Sequence, residues 1–222
     1  MTHTIKILDI QPVTHDVKQF RLEKPEGYTF IPGQATSVAI NKANLLEEKR
    51  PFTFTSLNAD PYLEFIIKGY PAHDGVTAKI HQLQAGDELV IGDPWGTIAY
   101  ADEGVFIAGG AGITPFIAIF RQLQANGSVA GNKLFFSNKT AADVIKEDEL
   151  QEIFPQENLT LVLTRDDQPG YHAGRIDADF LKDHVGDFQQ NFYVCGPKAM
   201  NNDIKSILAE LGASPQSLVF EK

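Results

Sequence analysis

The chain has 222 residues, a formal net charge of −10 and one cysteine, Cys195. This charge argues against a nucleic-acid partner, and a single cysteine excludes both a disulfide framework and a four-cysteine iron–sulfur cluster. No apolar stretch approaches the ~20 residues of a membrane span, and the polar start lacks a signal-peptide pattern, so we expect a cytoplasmic protein without a membrane partner.

The first half of the chain consists of short apolar or alternating runs separated by turn signals. Strand candidates lie at residues 5–8, 19–22, 36–40, 52–55, 63–68 and 88–91. Turn signals such as Pro32-Gly33 and Asp93-Pro94 separate them. Closely spaced short strands are typical of a small antiparallel barrel.

The second half alternates strand and helix patterns. Strand candidates at residues 105–108, 133–136, 160–164 and 191–194 alternate with helical patterns at 115–123, 147–153, 177–181 and 198–211. This alternation favours a parallel sheet covered by helices in an α/β domain. Residues 101–104 interrupt both patterns and predict two domains, residues 1–100 and 101–222.

Two motifs follow apolar runs of the second half directly. Residues 109–115 read Gly-Gly-Ala-Gly-Ile-Thr-Pro, and residues 195–197 read Cys-Gly-Pro. A strand that ends in glycines and opens a helix brings backbone N–H groups to a phosphate. Ligands of open α/β sheets bind outside the carboxyl ends of the strands, so the two motifs predict a nucleotide site, with nicotinamide as the favoured class.

These motifs, with others in the first half, resemble those of the ferredoxin–NADP(H) reductase superfamily, in the same order. Residues 50–53, Arg-Pro-Phe-Thr, resemble its flavin motif, and residues 75–77, Gly-Val-Thr, resemble its turn against the flavin pyrophosphate. The resemblance covers nearly the whole chain. It implies an N-terminal flavin-binding antiparallel β-barrel followed by a nicotinamide-binding α/β domain.

The resemblance implies a flavin site on the barrel. Arg50 offers a rigid fork of donors to a phosphate or flavin carbonyl, Phe52 a flat face for stacking, and Thr53 a hydroxyl near the redox-active nitrogens. Further cofactor-binding candidates on this side are Pro51, Ile66, Ile67, Lys68, Gly75, Val76 and Thr77. A turn that binds pyrophosphate favours FAD over FMN.

On the nicotinamide side, the expected contacts come from the glycine-rich loop and the Cys-Gly-Pro turn. Gly110 and Gly112 allow close approach of the backbone, and we expect Thr114 to cap the following helix and face the ligand. The resemblance places Cys195 beside the nicotinamide ring as a positioning group, followed by Gly196 and Pro197.

The choice between NADPH and NADH stays open at the sequence level. Arg165 follows a strand at the place where NADPH-using relatives carry a phosphate-binding arginine, and Lys139 and Arg175 are further candidates. Asp166 and Asp167 follow at once, and their charge would oppose a phosphate. The balance leans slightly towards NADPH.

The implied activity is hydride transfer from NAD(P)H to bound FAD, with electrons passed to a ferredoxin, a flavodoxin or an oxygenase component. Thr53, Cys195 and Glu221 are the catalytic candidates, Glu221 as a polar neighbour of the flavin edge. The six histidines lack ligand spacing, so no metal site is predicted. Two alternatives remain, a reductase of free flavin or ferric complexes and a non-catalytic electron-transfer subunit.

Overall fold

Two sheets of opposite kind organise the computed structural model, which describes residues 1–70, 75–96 and 98–220. The first sheet holds six strands in the order β4-β3-β6-β1-β2-β5, and every neighbouring pair is antiparallel. Its strands are β1 His3–Pro12, β2 Val17–Glu23, β3 Ala35–Ile40, β4 Arg50–Thr53, β5 Tyr62–Lys68 and β6 Glu88–Ile91. A short helix, α1 (Val76–Ile80), lies between β5 and β6.

The first sheet curls round until its two edge strands meet. Phe54, just after β4, forms an antiparallel bridge with Phe65 of β5, and the Thr55 N–H donates to the Glu64 carbonyl at 2.9 Å. The enclosed core contains fully buried aromatic rings, and the Phe54 ring stacks on Phe30 at 4.2 Å. Every sheet edge that is paired removes unsatisfied backbone groups. The predicted antiparallel barrel is confirmed.

The second sheet is parallel throughout, in the order β10-β9-β8-β7-β11-β12. Its strands are β7 Gly104–Gly109, β8 Lys133–Asn138, β9 Leu159–Leu163, β10 His172–Ala173, β11 Asn191–Cys195 and β12 Leu218–Phe220. Its helices are α2 Thr114–Ala125, α3 Glu147–Ile153, α4 Ala178–His184 and α5 Lys198–Glu210. Separate apolar clusters cover the two faces, as the alternation of strand and helix requires. The predicted α/β domain is confirmed.

The two halves share one continuous apolar cluster. Val17 and Ile66 of the barrel are buried in the same cluster as Phe116 and Ile119 of α2. The barrel strands therefore end against the helix that follows the glycine-rich loop. The boundary at residue 100 stays a prediction.

Candidate active site

A cavity of about 650 Å³ opens at the carboxyl ends of the parallel strands. Its walls include Gly109 after β7, Asn138 at the end of β8, Thr164 after β9 and Pro197 after β11. Lys68 and Tyr70, at the end of β5, contribute from the barrel side. The sheet topology thus brings the two glycine motifs to one cavity, at the edge where open α/β sheets bind ligands.

The glycine-rich loop is packed tightly against the end of β11. Residues Gly110–Ile113 form a 3-10 turn before α2, which the sequence did not predict. A Cβ atom on Gly112 would lie 2.2 Å from the Cys195 carbonyl oxygen, so only glycine allows this approach. Gly110 and Ala111 of the loop lie half-buried, in reach of a ligand.

The expected capping role of Thr114 is wrong in its chemistry. Thr114 is the first residue of α2 rather than the residue before it, and its hydroxyl donates to the Ala111 carbonyl at 3.0 Å. The hydroxyl therefore holds the loop closed instead of accepting from the first-turn N–H groups. The Thr114 N–H donates to the same Ala111 carbonyl, and Pro115 has no N–H, so the start of α2 is occupied by contacts with the loop.

Three exposed cationic side chains line the cavity. Lys139, Arg165 and Arg175 are exposed, line the cavity, and form no ion pair with any residue that the structure describes. Asp166 and Asp167, adjacent to Arg165, are not among the lining residues. Asp143 and Asp203 also line the cavity, so its four cations outnumber its two carboxylates, and this excess favours an anionic ligand such as a phosphate.

A cluster of acidic and basic side chains lies at the cavity, between the barrel and the α/β domain. Lys68 of the barrel pairs with Asp16 at 2.7 Å, and His15 lies 3.9 Å from Asp143 of the α/β domain. Burial alone would raise the pKa of Asp143, but hydrogen bonds from Thr140 and the charges of Lys68 and His15 outweigh it and lower that pKa. Asp143 is therefore a fixed anion, and its charge partly offsets Lys68.

The flavin motif lies on β4, at the barrel face. Arg50 is exposed, and its guanidinium donates to the Lys49 carbonyl at 2.8 Å, leaving most of its donors available. Phe52 is half-buried, 6.2 Å from Phe65 between ring centroids, so one part of its ring packs on the barrel core. Thr53 is buried and Pro51 exposed. A donor fork beside a half-exposed ring fits a flat, phosphate-bearing cofactor.

The other flavin candidates differ in what they can offer. Ile66 and Ile67 are buried in opposite clusters, so their side chains serve packing. Gly75 precedes α1, Val76 is buried in the barrel core and Thr77 is half-buried. The first-turn N–H groups of a helix lack intrahelical acceptors, so this turn can bind an anion through its backbone.

The Cys-Gly-Pro turn places its thiol below the cavity floor. Cys195 is 2% exposed and packs in the cluster that also holds Ile113 and Phe116, whereas Gly196 is half-buried and Pro197 exposed. Pro197 lines the cavity and Cys195 does not. The role of Cys195 beside the nicotinamide stays a prediction. Glu221 lies outside the described residues.

A buried ion network joins the two halves behind the cavity, and sequence reasoning missed it. Arg121 of α2 donates to Glu64 of β5 at 2.7 Å and to the Thr55 carbonyl at 2.6 Å. Two further N–H groups of its guanidinium donate to the Glu149 carboxylate of α3. Burial alone would lower the pKa of Arg121, but Glu149 and Glu64 raise it, so the side chain is cationic. The signal was a charged residue inside each of two apolar patterns.

His81 provides a pH-dependent contact behind the flavin turn, and the Nε2 atom lies 2.8 Å from the Ile67 carbonyl. Burial lowers the pKa of His81, as does Lys18, while the Ile67 carbonyl and Asp16 oppose this in part. The unfolded chain takes up a proton near pH ~6.5 more readily than the folded one. We expect thermal stability to fall as pH drops below this value.

The variant that tests this expectation is His81→Gln, because a glutamine amide can donate to the Ile67 carbonyl but does not titrate. Its melting temperature should change less than that of the parent chain between about pH 7 and about pH 5. His15→Gln, at a ring with a 63% exposed side chain, serves as the control. Parallel curves for the parent and His81→Gln would remove His81 from the acid response.

Two family models match this chain in succession. The oxidoreductase FAD-binding domain matches residues 4–100, and the oxidoreductase NAD-binding domain matches residues 106–206. The chain belongs to the ferredoxin–NADP reductase superfamily. The sequence-based identification is confirmed, and the superfamily cofactors, FAD and a nicotinamide nucleotide, are the cofactors of this chain.

Solved structures of the ferredoxin–NADP reductase superfamily share the fold over the full chain. The FAD/NAD-binding domain of nitric oxide dioxygenase from Vibrio cholerae matches with a TM-score of 0.87 and 19% identity, covering 98% of this chain and 97% of its own. A ferredoxin NADP+ reductase from Neisseria gonorrhoeae, solved with bound FAD and NADP, matches at 0.86 with 22% identity, covering 99% and 98%.

Curated relatives in the superfamily are longer than this chain. The reductase component of propane 2-monooxygenase from Rhodococcus jostii is 26% identical over 233 residues, 98% of this chain and 62% of the relative. NADH-cytochrome b5 reductase 2 from Mycosarcoma maydis is 27% identical over 238 residues, 92% of this chain and 68% of the relative. The chain thus spans about two thirds of these proteins. No helix in the described residues has the length and apolarity to cross a bilayer.

Proposed function

We propose that this chain is an NADPH-dependent flavin oxidoreductase that passes electrons to a carrier protein. The observation that carries the proposal is the cavity between the end of β5 and the glycine-rich loop, where three cations form no ion pair with a described residue. Lys139 follows β8, Arg165 follows β9 and Arg175 follows β10, at the edge where a 2′-phosphate would reach from a pyrophosphate on the loop. The adjacent aspartates do not line the cavity, which supports NADPH over NADH.

The residues of the chain bind and orient, while the cofactors supply the redox chemistry. When bound, FAD accepts a hydride as two electrons and releases electrons singly. Arg50 and the turn at residues 75–77 would hold its phosphates, Phe52 would support its ring and Thr53 would present a hydroxyl. The loop at residues 109–113 would fix the nucleotide, so that both rings meet in one orientation.

The experiment that tests the proposal is anaerobic mixing of the purified protein with NADPH and, separately, NADH, while the visible flavin band is followed. Rapid bleaching by NADPH and slow bleaching by NADH is the expected result. Yellow protein that neither nucleotide bleaches would refute the oxidoreductase. Protein that loses its flavin on gel filtration and reduces added flavin would indicate the alternative, a reductase that treats flavin as a substrate.

Arg165→Ala should weaken the use of NADPH far more than the use of NADH. The guanidinium is exposed at the cavity and forms no ion pair within residues 1–70, 75–96 and 98–220, so its loss removes a charge-assisted contact to the 2′-phosphate. Such a contact is worth about tenfold or more in KM. The measurement is KM for both nucleotides, with Arg175→Ala assayed in parallel. Equal effects on both nucleotides would remove Arg165 from the phosphate site.

Arg50→Ala should give protein that purifies with little flavin. Its guanidinium makes one hydrogen bond to the described part of the chain, to the Lys49 carbonyl, so the expected loss is in cofactor binding rather than in folding. The readout is the ratio of flavin absorbance to protein absorbance, with Lys49→Ala on the adjacent exposed position as control. A fully yellow Arg50→Ala protein would contradict the assignment.

The acceptor we propose is a ferredoxin or an oxygenase component. Two relatives carry names of that kind, the propane 2-monooxygenase reductase component and the naphthalene dioxygenase ferredoxin–NAD(P)+ reductase component of Pseudomonas putida. With one cysteine, these 222 residues cannot hold a four-cysteine cluster, so we propose that the electrons pass to a centre outside these residues. We also propose a cytoplasmic location, where NADPH is available to the cavity.

A further inference from the structure

One buried side-chain amide at the cavity, that of Asn138, makes no hydrogen bond to the residues that the structure describes. Asn138, the last residue of β8, is 5% exposed and lines the cavity. In the described part of the chain, neither its side-chain nitrogen nor its side-chain oxygen has a hydrogen-bond partner. Buried polar groups are nearly always paired, and an unpaired one in a folded protein calls for an explanation such as a ligand.

The backbone of Asn138 is held firmly in place. Its carbonyl accepts from the Thr164 N–H at 2.9 Å and from the Thr164 hydroxyl at 3.2 Å. The side chain alone is therefore available to change its orientation. Both amide atoms are covered in this structure, so contact with a ligand requires the side chain to turn towards the cavity. This rotation breaks no hydrogen bond.

The position of β8 in the sheet indicates which part of a nucleotide Asn138 would meet. Strand β8 lies between β7, which leads into the glycine-rich loop, and β9, which leads to Arg165. Neighbouring strands are ~4.8 Å apart, so the loop and Arg165 are separated by about twice that distance. With the pyrophosphate on the loop and the 2′-phosphate at Arg165, the adenosine ribose lies over the end of β8.

The chemistry of the amide matches a hydroxyl group. An asparagine side chain both donates and accepts, and a sugar hydroxyl does the same, whereas a phosphate oxygen accepts only. In NADPH the 2′ position carries the phosphate, which leaves the 3′-hydroxyl of that ribose. We infer that Asn138 turns into the cavity and binds the 3′-hydroxyl of the adenosine ribose. This inference rests on the proposed function, because it needs the dinucleotide in this cavity.

The test compares 2′-phospho-ADP-ribose, the part of NADPH that carries the adenosine 2′-phosphate, with its analogue that lacks the adenosine 3′-hydroxyl, by calorimetry on the flavin-loaded chain. The parent chain should bind the deoxy analogue about tenfold more weakly. Asn138→Leu, of similar size, should bind 2′-phospho-ADP-ribose about tenfold more weakly than the parent and should not discriminate between the two compounds. Its melting temperature should not fall, because the variant removes an unpaired buried amide.

Two further variants keep the test decisive. Asn201→Leu removes the other asparagine with an unpaired buried side-chain atom, at a position that does not line the cavity, and should keep the full discrimination. If Asn138→Leu misfolds, Asn138→Ala takes its place, with the same expected loss of discrimination.

The inference is overturned if Asn138→Leu retains the discrimination of the parent chain, or if the parent chain binds the two compounds equally well. The proposed function fails on a different measurement. If NADPH reduces the flavin but the loss of the 3′-hydroxyl weakens binding equally in the parent chain and in Asn138→Leu, the inference alone is refuted. If Asn138→Leu abolishes the discrimination but neither nucleotide reduces the flavin, the oxidoreductase alone is refuted.

Discussion

Arg121→Met should lower the free energy of unfolding by about 3–5 kcal/mol, the range measured when one partner of a buried ion pair is removed. Glu64 is 1% exposed and receives hydrogen bonds from Arg121 and from the Thr55 hydroxyl. Without Arg121 its carboxylate remains in the interior, with Arg21 at 3.4 Å as the nearest cation. The measurement is chemical denaturation of the parent and the variant.

The double variant Arg121→Met/Glu64→Gln distinguishes an unpaired charge from lost packing. A neutral amide can still accept from the Thr55 hydroxyl, so we expect it to recover much of the loss. Lys79→Met, which removes a partly exposed pair with Glu48, is the control and should cost about 0–1 kcal/mol. If Arg121→Met costs no more than Lys79→Met, the network does not stabilise the fold.

Arg121→Met should also slow flavin reduction by the nucleotide, under conditions in which the variant remains folded. Arg121 ties α2, which begins directly after the glycine-rich loop, to the Thr55 carbonyl, two residues after Thr53 of the flavin motif. The network therefore connects the two elements that carry the nucleotide and the flavin. Hydride transfer requires the nicotinamide and flavin rings in one relative orientation, so a small displacement of either ring lowers the rate strongly.

The sequence predicted the fold well where local pattern and topology agree. The barrel strands are short and bounded by turns, and the α/β strands are apolar runs between helices, so periodicity was sufficient. It missed β10, the two residues His172–Ala173, because its pairing with β9 depends on the neighbouring strand rather than on its own pattern. It also missed the 3-10 turn before α2, since a glycine run specifies no single backbone path.

The site was predictable in part, for a physical reason. Glycine motifs behind strands indicate backbone approach, and that signal is local. Arg121 and Glu64 are 57 residues apart, and Asn138 is defined by the absence of partners. Such features depend on tertiary packing, which no single-chain pattern encodes. Thr114 shows the limit on a smaller scale, because one position in the helix start decides whether its hydroxyl accepts or donates.

Gly112→Ala should nearly abolish reduction of the flavin by the nucleotide. The added Cβ would lie 2.2 Å from the Cys195 carbonyl oxygen and 2.7 Å from the Gly196 nitrogen, both backbone atoms that cannot turn aside. The loop must therefore move away from β11, and the nucleotide moves with it. A displacement of about 1 Å can cost on the order of 100-fold in rate, which we expect in rapid-mixing measurements with NADPH.

Flavin content should separate this local effect from general damage. The flavin motif at residues 50–53 lies on the barrel, so Gly112→Ala should stay yellow while losing the nucleotide-dependent step. Gly186→Ala is the matched control, because no atom lies within 4 Å of its added Cβ, and it should be reduced at the parent rate. Equal rates for the two variants would show that the close approach of the loop to β11 is not required. The rate of flavin reduction depends on the placement of the two rings, whereas flavin content depends on an intact barrel. A variant that retains its flavin but is reduced slowly would therefore show that hydride transfer depends on the contact between the two glycine motifs.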